Sequence, residues 1–363
     1  MSTVADLPTP CVLVSQSVLE RNLAAMSELC RRHGVRLRPH IKTHNLPEIA
    51  RRQFQAGAAG VTVATPLEAA LAARHGVDDI FVAREVVDAV DLRGLLEVAR
   101  AARVTVAVDS VPGAEAVAQV AAGQGMSIGV RIEVDVGGNR CGVRTTDELL
   151  ALAQRVQALP ALRFDGIFTH EGHVYGAADR AELARLATAA VHDLAAHAEA
   201  LRRNGITVPE VSVGSSPSAK TAADFRGITE VRPGNYAFND AMQVANGTAT
   251  IADCALTVVA TVISRPVPDR AVLNVGSKAM GSDRGRNVSD TGGYGLVIEP
   301  ERQVLSRVYE EHGVIDAPNS LRIGQRVRLV PSHACMVANL ARTVALVDSR
   351  GEVLEVWQNR RYA

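Results

Sequence analysis

From about residue 17 to about residue 240, apolar positions alternate between two patterns. One is a short run of β-branched residues; the other is a longer stretch with apolar positions three and four apart. The short runs, Arg36–Ile41, Gly60–Ala64, Ile80–Ala83, Val104–Val108, Ile128–Val134, Phe164–Phe168, Val208–Val213 and Thr229–Val231, have strand length. The longer stretches predict helices. Ser17 and Glu20 are spaced as a capping box at the head of the stripe Val18, Leu19, Leu23, Met26, Leu29 and Cys30, and Gly34 stops it. Gly57 ends a helix from Pro47 to Ala56, and Thr65-Pro66 opens another that Gly76 closes. Thr145 and Glu148 form a second capping box before Leu149, Leu150, Leu152 and Val156, and residues 179–204 make a long Ala/Leu/Arg helix.

Eight strand-like runs, each separated by a helix or helical turn, predict a parallel sheet closed into a (β/α)8 TIM-type barrel; a doubly wound open sheet is the structural alternative. After about Asp240 helical patterns thin out. Ala255–Ile263, Ala271–Val275, Gly295–Ile298, Arg326–Val330, Val344–Val347 and Val353–Trp357 predict a second, mostly antiparallel β domain. The expected boundaries are 11–242 for the barrel and 243–363 for the β domain, with residues 1–10 packing on the latter. Residues 281–295, rich in Gly, Ser, Asp and Arg, predict a mobile loop.

Composition narrows the function. The 363 residues carry 39 Lys+Arg and 39 Asp+Glu, so no bulk basic field exists to attract nucleic acid or an anionic membrane. No apolar run approaches the roughly 20 residues of a membrane span. The segment Met1 to Pro10 contains Asp6 and two prolines and does not have the basic-then-apolar order of a signal peptide. Five cysteines at irregular spacing argue against a disulfide framework. A reduced, cytoplasmic enzyme with a small-molecule substrate is the expectation.

In a barrel, chemistry sits just past the C-terminal ends of the strands. Those positions hold Pro39-His40-Ile41-Lys42-Thr43-His44, Asp109, Glu133 to Gly142, Thr169-His170-Glu171-Gly172-His173-Val174-Tyr175, Gly214-Ser215-Ser216-Pro217 and Arg232-Pro233-Gly234-Asn235-Tyr236. Lys42 is one of three lysines in an arginine-rich chain. At a strand end facing the barrel mouth, a lysine that is desolvated and flanked by cations loses basicity and can form a Schiff base; a surface lysine is the bland reading. The Gly214-Ser215-Ser216 run and the Arg232–Tyr236 run could cradle a phosphate, or be ordinary turns. His333-Ala334-Cys335 follows a strand of the second domain. On an extended segment the two side chains project together and can chelate one ion, the thiolate favouring zinc; a capping His beside a buried Cys is the alternative.

Arg38-Pro-His-Ile-Lys-Thr-His44, Glu133-Val-Asp-Val-Gly-Gly-Asn-Arg-Cys-Gly-Val143, Arg232-Pro-Gly-Asn-Tyr-Ala-Phe238 and Pro331-Ser-His-Ala-Cys335 together resemble, in order, the motifs of the D-threonine aldolase and D-serine dehydratase family, relatives of alanine racemase. The resemblance covers nearly the whole chain. It implies a barrel that binds pyridoxal phosphate, a C-terminal β domain and a homodimer with sites near the subunit interface. By position, Lys42 would hold the cofactor, His40 and Tyr175 would flank it, and Arg140 would lie by its phenolic oxygen. Gly214, Ser215, Ser216 and Tyr236 would hold the phosphate, and His333 and Cys335 a divalent ion. Family aldolases typically carry His-x-Asp at the ion site, suited to manganese or magnesium; His-x-Cys and the His170–Tyr175 loop resemble the zinc-dependent dehydratases. Dehydration of a β-hydroxy-D-amino acid to a 2-oxo acid and ammonia is therefore implied first. Aldol cleavage to glycine and an aldehyde, with His170 as base, is second; a racemase and a non-catalytic cofactor carrier are the rivals.

Overall fold

The computed structural model describes residues 2–285 and 293–359. Its first strand is β1 (Cys11–Ser15), followed by β2 (Arg36–Leu37), β3 (Val61–Val63), β4 (Asp79–Glu85), β5 (Arg103–Val108), β6 (Ile128–Glu133), β7 (Leu162–Phe168), β8 (Glu210–Val213) and β9 (Glu230–Val231). Strands β2 to β9 form one parallel sheet in the order β2-β9-β8-β7-β6-β5-β4-β3. A parallel bridge of His40 with Thr62, and the hydrogen bonds Ala59 N to Leu37 O and Thr62 N to Pro39 O, both 2.8 Å, join the two ends. The sheet is thus the TIM-type barrel that the alternation predicts.

The strand period decides what faces where. Ile80, Val82, Val104, Val106, Val130, Ile132, Val211 and Val213 are buried within the main hydrophobic core that the helices complete. The opposite faces of the same strands fill the barrel interior with Phe81, Ala107 and Phe168 and with buried charges. Glu230 lies between Arg38 (2.6 Å) and Arg131 (2.7 Å), and Arg131 stacks over the Phe81 ring at 4.6 Å. Gly60 has no room for a side chain, since a Cβ there would overlap the Arg38 guanidinium.

The second sheet contains β10 (Leu256–Val267), β11 (Arg270–Leu273), β12 (Gly295–Glu299), β13 (Gln303–Val304), β14 (Arg307–Val308), β15 (Gly313–Asp316), β16 (Arg326–Pro331), β17 (Thr343–Val347) and β18 (Val353–Gln358). Its spine runs β13-β12-β16-β10-β1-β17-β18. Here the expected boundary needs correction. Residues 11–15, assigned to the barrel from the sequence, form a strand of the β domain, antiparallel to β10 and parallel to β17. Residues before them contact the same domain: Val353 N donates to Ser2 O, and Arg326 donates to the carbonyls of Val4 and Leu7.

Helix ends follow their caps in part. Thr145 and Glu148 form the expected capping box, and Thr65 accepts from Glu68 N. The Ser17–Glu20 box does not form. The helix begins at Gln16, directly after β1, with Ser15 as an N-cap whose side chain makes no capping bond to the helix backbone; Glu20 instead accepts from Gln16 and Arg52. Part of the predicted loop 281–295, residues 286–292, lies outside the described residues. Among the described residues no helix is long and apolar enough to cross a membrane.

Candidate active site

The C-terminal ends of the barrel strands and the second domain enclose a cavity of about 1140 Å³. That exceeds what a single drug-sized ligand needs and leaves room for a cofactor together with a substrate. His40, Lys42, Arg140, His170, Tyr175, Gly214, Ser215, Ser216, His333 and Cys335 all line it. Tyr236 does not. Its hydroxyl is buried beneath the floor at 3.2 Å from Gln53 Nε2, and only its main chain turns toward Ser216.

Lys42 sits in the helical turn Ile41–Thr43 just past β2. It is reachable from the open cavity, yet protein surrounds it on most sides. Burial lowers its pKa, and Arg140 and Arg232 add to that against Cys335 and Glu68. A larger fraction of the amine is therefore neutral than for a lysine in water. Burial, then Lys42 and Arg232, also keep the His40 imidazole neutral.

His170 Nδ1 lies 2.7 Å from Gly214 O. A carbonyl only accepts, so the ring proton is on Nδ1 and Nε2 is left able to take a proton. Burial, with Lys42 beside it, drops the pKa to about 3. Gly214 N donates to the buried Glu171 carboxylate at 2.9 Å, so this amide is not free for a phosphate. The Ser215 hydroxyl caps the turn Ser216–Thr221 by accepting from Ser218 N, and the Ser216 hydroxyl accepts from Tyr236 N. What remains of the expected cradle is the Ser216 O–H, which can still donate, and main chain: the N–H groups of Ser216 and Asn235 each open a helical turn and have no intrahelical acceptor.

Arg140 donates to Glu133 at 3.2 Å. Ligand atoms of Glu133, Glu85 and Cys141 lie within 4.8 Å of one another. Burial, then the neighbouring Glu85, push Glu133 up to about 8, so the Glu133 carboxyl is largely protonated at neutral pH. Glu85 was not singled out from sequence; it is placed here by facing Glu133 across the sheet. Arg232 was quoted from sequence only as part of a phosphate-like run. It is buried at the cavity floor, with its terminal nitrogens on Ser212 Oγ and Thr169 O, both 2.6 Å. Its Nε has no hydrogen-bond partner among the described residues.

His333 and Cys335 come together, but not on an extended strand. His333 is the N-cap of the helix Ala334–Leu340 and Cys335 lies in its first turn. The imidazole Nδ1 lies 2.5 Å from Asp283 Oδ2, so Nε2 is the ring nitrogen that could ligate an ion. Burial opposes a charged ring, but Cys335, Asp240 and Asp283 around it prevail and raise its pKa to about 10. The Cys335 thiol lies 3.4 Å from the Thr43 hydroxyl, one residue from Lys42. Tyr175 stands on this side of the cavity, near Cys335 and Asp240, with its hydroxyl pushed up by burial.

Residues 14–241 match the family model of the alanine racemase N-terminal domain, and residues 255–347 match that of a putative serine dehydratase domain. The chain is 35% identical over 364 residues to a D-threonine aldolase of Arthrobacter sp, covering 98% of this chain and 93% of that one. The chain belongs to the D-threonine aldolase and D-serine dehydratase family. Within that family it is also 35% identical over 356 residues to the D-threo-3-hydroxyaspartate dehydratase of Delftia sp. (strain HT23), covering 92% of each. The solved structure of the Delftia sp. HT23 enzyme matches with a TM-score of 0.93 at 34% identity over 99% of both chains. A D-threonine aldolase from Filomicrobium marinum gives 0.90 at 30% identity, over 99% of this chain and 97% of that one. An alanine racemase from Bacillus anthracis, 16% identical with a TM-score of 0.70, shares the fold.

Asp283, absent from the motif reading, makes the first prediction. A carboxylate on the far nitrogen of a ligating imidazole fixes its tautomer and orientation. Asp283→Ala is expected to weaken zinc binding about 10- to 100-fold in chelator-competition titrations. Unchanged affinity would show that the Asp283–His333 contact does not orient a ligand.

Proposed function

We propose that this chain is a lyase dependent on pyridoxal phosphate and a divalent ion, acting on β-hydroxy-D-amino acids, with dehydration to a 2-oxo acid and ammonia as its main reaction. One observation carries the reading: a single cavity presents a lysine of lowered basicity and, one residue from it through Thr43, a His/Cys pair. Aldol cleavage is the second reading, favoured by the similarity to the Arthrobacter aldolase.

The residues present fit both groups. Lys42 supplies the amine for the cofactor's aldehyde. The amides opening the turns at Ser216 and Asn235 suit a phosphate, and Arg232 Nε–H suits an acceptor on the cofactor. At His333 and Cys335 an imidazole and a thiol, with Asp240 and Asp283 making the surroundings negative, suit zinc before manganese or magnesium. A Cys-to-Ala mutant of a D-threo-3-hydroxyaspartate dehydratase, solved in its metal-free form, matches this chain at 33% identity.

Bound pyridoxal phosphate supplies an electron sink for the bond broken at the substrate's α-carbon, and the bound ion makes the β-hydroxyl a better acid or leaving group. The chain's own groups do the rest. Lys42, its amine less basic than in water, would be the base for the α-proton in dehydration. His170, neutral and with Nε2 unprotonated, is the base placed to take the β-hydroxyl proton in cleavage. His40, Phe168 and Met242 wall the cavity and limit water. A homodimer belongs to this reading.

The test is direct. Purified protein loaded with cofactor and zinc is incubated separately with D-serine, D-threonine and D-threo-3-hydroxyaspartate. The expected result is a 2-oxo acid and ammonia from at least one of them. Glycine and an aldehyde as the dominant products would establish the aldolase reading instead, and no turnover of any D-substrate would reject both.

A further inference from the structure

The helix Ala334–Leu340 carries Cys335 in its first turn and Asn339 one turn later, on the same face. The Asn339 carboxamide is buried. Its Nδ2 donates to the main-chain carbonyl of Lys42 at 2.8 Å and to that of Cys335 at 2.7 Å, with the Thr43 carbonyl at 3.5 Å. Its Oδ1 accepts from Asn45 Nδ2 at 2.6 Å. Asn45 is itself buried and left-handed, at φ 52°, immediately after the lysine turn. One side chain therefore holds the backbone of the cofactor lysine and the backbone of the ion-binding cysteine together, although 293 residues separate Lys42 from Cys335 in the chain.

We propose that Asn339, backed by Asn45, is a positioning residue that sets the spacing between the Lys42 amine and the His333/Cys335 pair, so that cofactor and metal bind cooperatively. This rests on the functional reading above, in which Lys42 carries the cofactor and the pair carries the ion. Both amide protons and the carbonyl oxygen are engaged, the bond to Asn45 being buried and those to Lys42 and Cys335 partly buried. Leaving any one unmade strands a polar group. The lysine turn and the metal helix therefore shift together or not at all. Ordering either by its ligand orders the other, and the effect is reciprocal.

The test measures zinc affinity by chelator competition on the full-length protein, with and without saturating pyridoxal phosphate. In the wild type, cofactor is expected to tighten zinc binding by about fivefold or more. In Asn339→Leu, similar in size but without hydrogen bonds, that ratio is expected to fall to about one, with zinc bound about tenfold more weakly. Its kcat is expected to drop while KM stays near the wild-type value. Asn45→Gly, which removes the backing side chain where glycine tolerates the left-handed backbone, is expected to lower the ratio in the same direction. If Asn339→Leu does not fold, Asn45→Gly decides by the same ratio. A variant whose thermal midpoint falls while the ratio and zinc affinity stay at wild-type values overturns the proposal: the carboxamide is then only structural. Wild-type protein that takes up neither cofactor nor zinc overturns the functional reading and this inference with it.

Discussion

Replacing Lys42 with alanine is expected to remove the yellow absorbance of the cofactor-loaded protein and to cut turnover by about 10,000-fold or more, the upper range for losing a positioned proton-transfer group. No other lysine can stand in. Lys220 is held by Asn239 Oδ1 at 2.7 Å and Thr248 O at 3.1 Å, and Lys278 is exposed between Glu310 and Glu311. Only Lys42 combines lowered basicity with a place in the cavity. The measurement is an absorption spectrum after exhaustive dialysis, beside steady-state kinetics on whichever D-substrate the wild type consumes. A variant that stays yellow after dialysis would take the cofactor away from Lys42. A chelator applied to the wild type separates the two halves of the site. Turnover is expected to stop while the absorbance persists, because the proposed function gives the ion to His333 and Cys335 and the cofactor to Lys42. Full activity after thorough metal removal would dismiss the pair as ligands.

The parts of this molecule legible in the sequence are those governed by local periodicity. The barrel strands could be located because their outward faces are near-continuous Val and Ile, and the caps at Thr65 and Thr145 because capping is a short-range interaction. Strand β1 was misassigned because its partners, Leu256–Val259 and Val344–Val347, lie hundreds of residues away, and nothing within Cys11–Ser15 specifies them. Strands β13 and β14 are two residues each, too short for any pattern to register.

The site divides along the same line. Lys42, Arg140 and the His333/Cys335 pair, which all line the cavity, stand out in the sequence because they sit in dense motifs. The pair was nonetheless reached through a wrong geometry, since a helix N-terminus and not a strand brings the two side chains together. Tyr236 was misread because a tyrosine beside a Gly-Asn turn gives no sign of which way its ring points; here it points down to Gln53. Asp283, Glu85 and Asn339 acquire their roles only from tertiary neighbours. No spacing rule connects Asn339 with Lys42 or Glu85 with Glu133.

The charged barrel interior carries the largest expected stability effect. Glu230 is fully buried, with Arg38 on one oxygen at 2.6 Å and Arg131 and Ser212 Oγ on the other, both at 2.7 Å. Burial opposes its charge, but Arg131 and Arg38 prevail and hold the carboxyl well below the usual glutamate range. In Glu230→Ala, Arg38 keeps Asp79, whereas Arg131 loses its ion-pair partner in the interior. The expected cost is about 3–5 kcal/mol, read as a lower urea midpoint at neutral pH. The double variant Glu230→Leu with Arg131→Met, which removes both charges, is expected to recover much of it, because the loss comes from a stranded guanidinium more than from a missing attraction. The pH dependence has a definite sign. A depressed carboxyl pKa stabilises fully above its unfolded value, 4.5, and that contribution is lost as pH falls below it toward the folded value. The gap between wild type and Glu230→Ala is therefore widest at neutral pH and narrows in acid. A single variant within about 0.5 kcal/mol of wild type, the range of an ordinary surface change, would mean that water or a rearranged neighbour reaches Arg131 and that the interior is less dry than its packing implies.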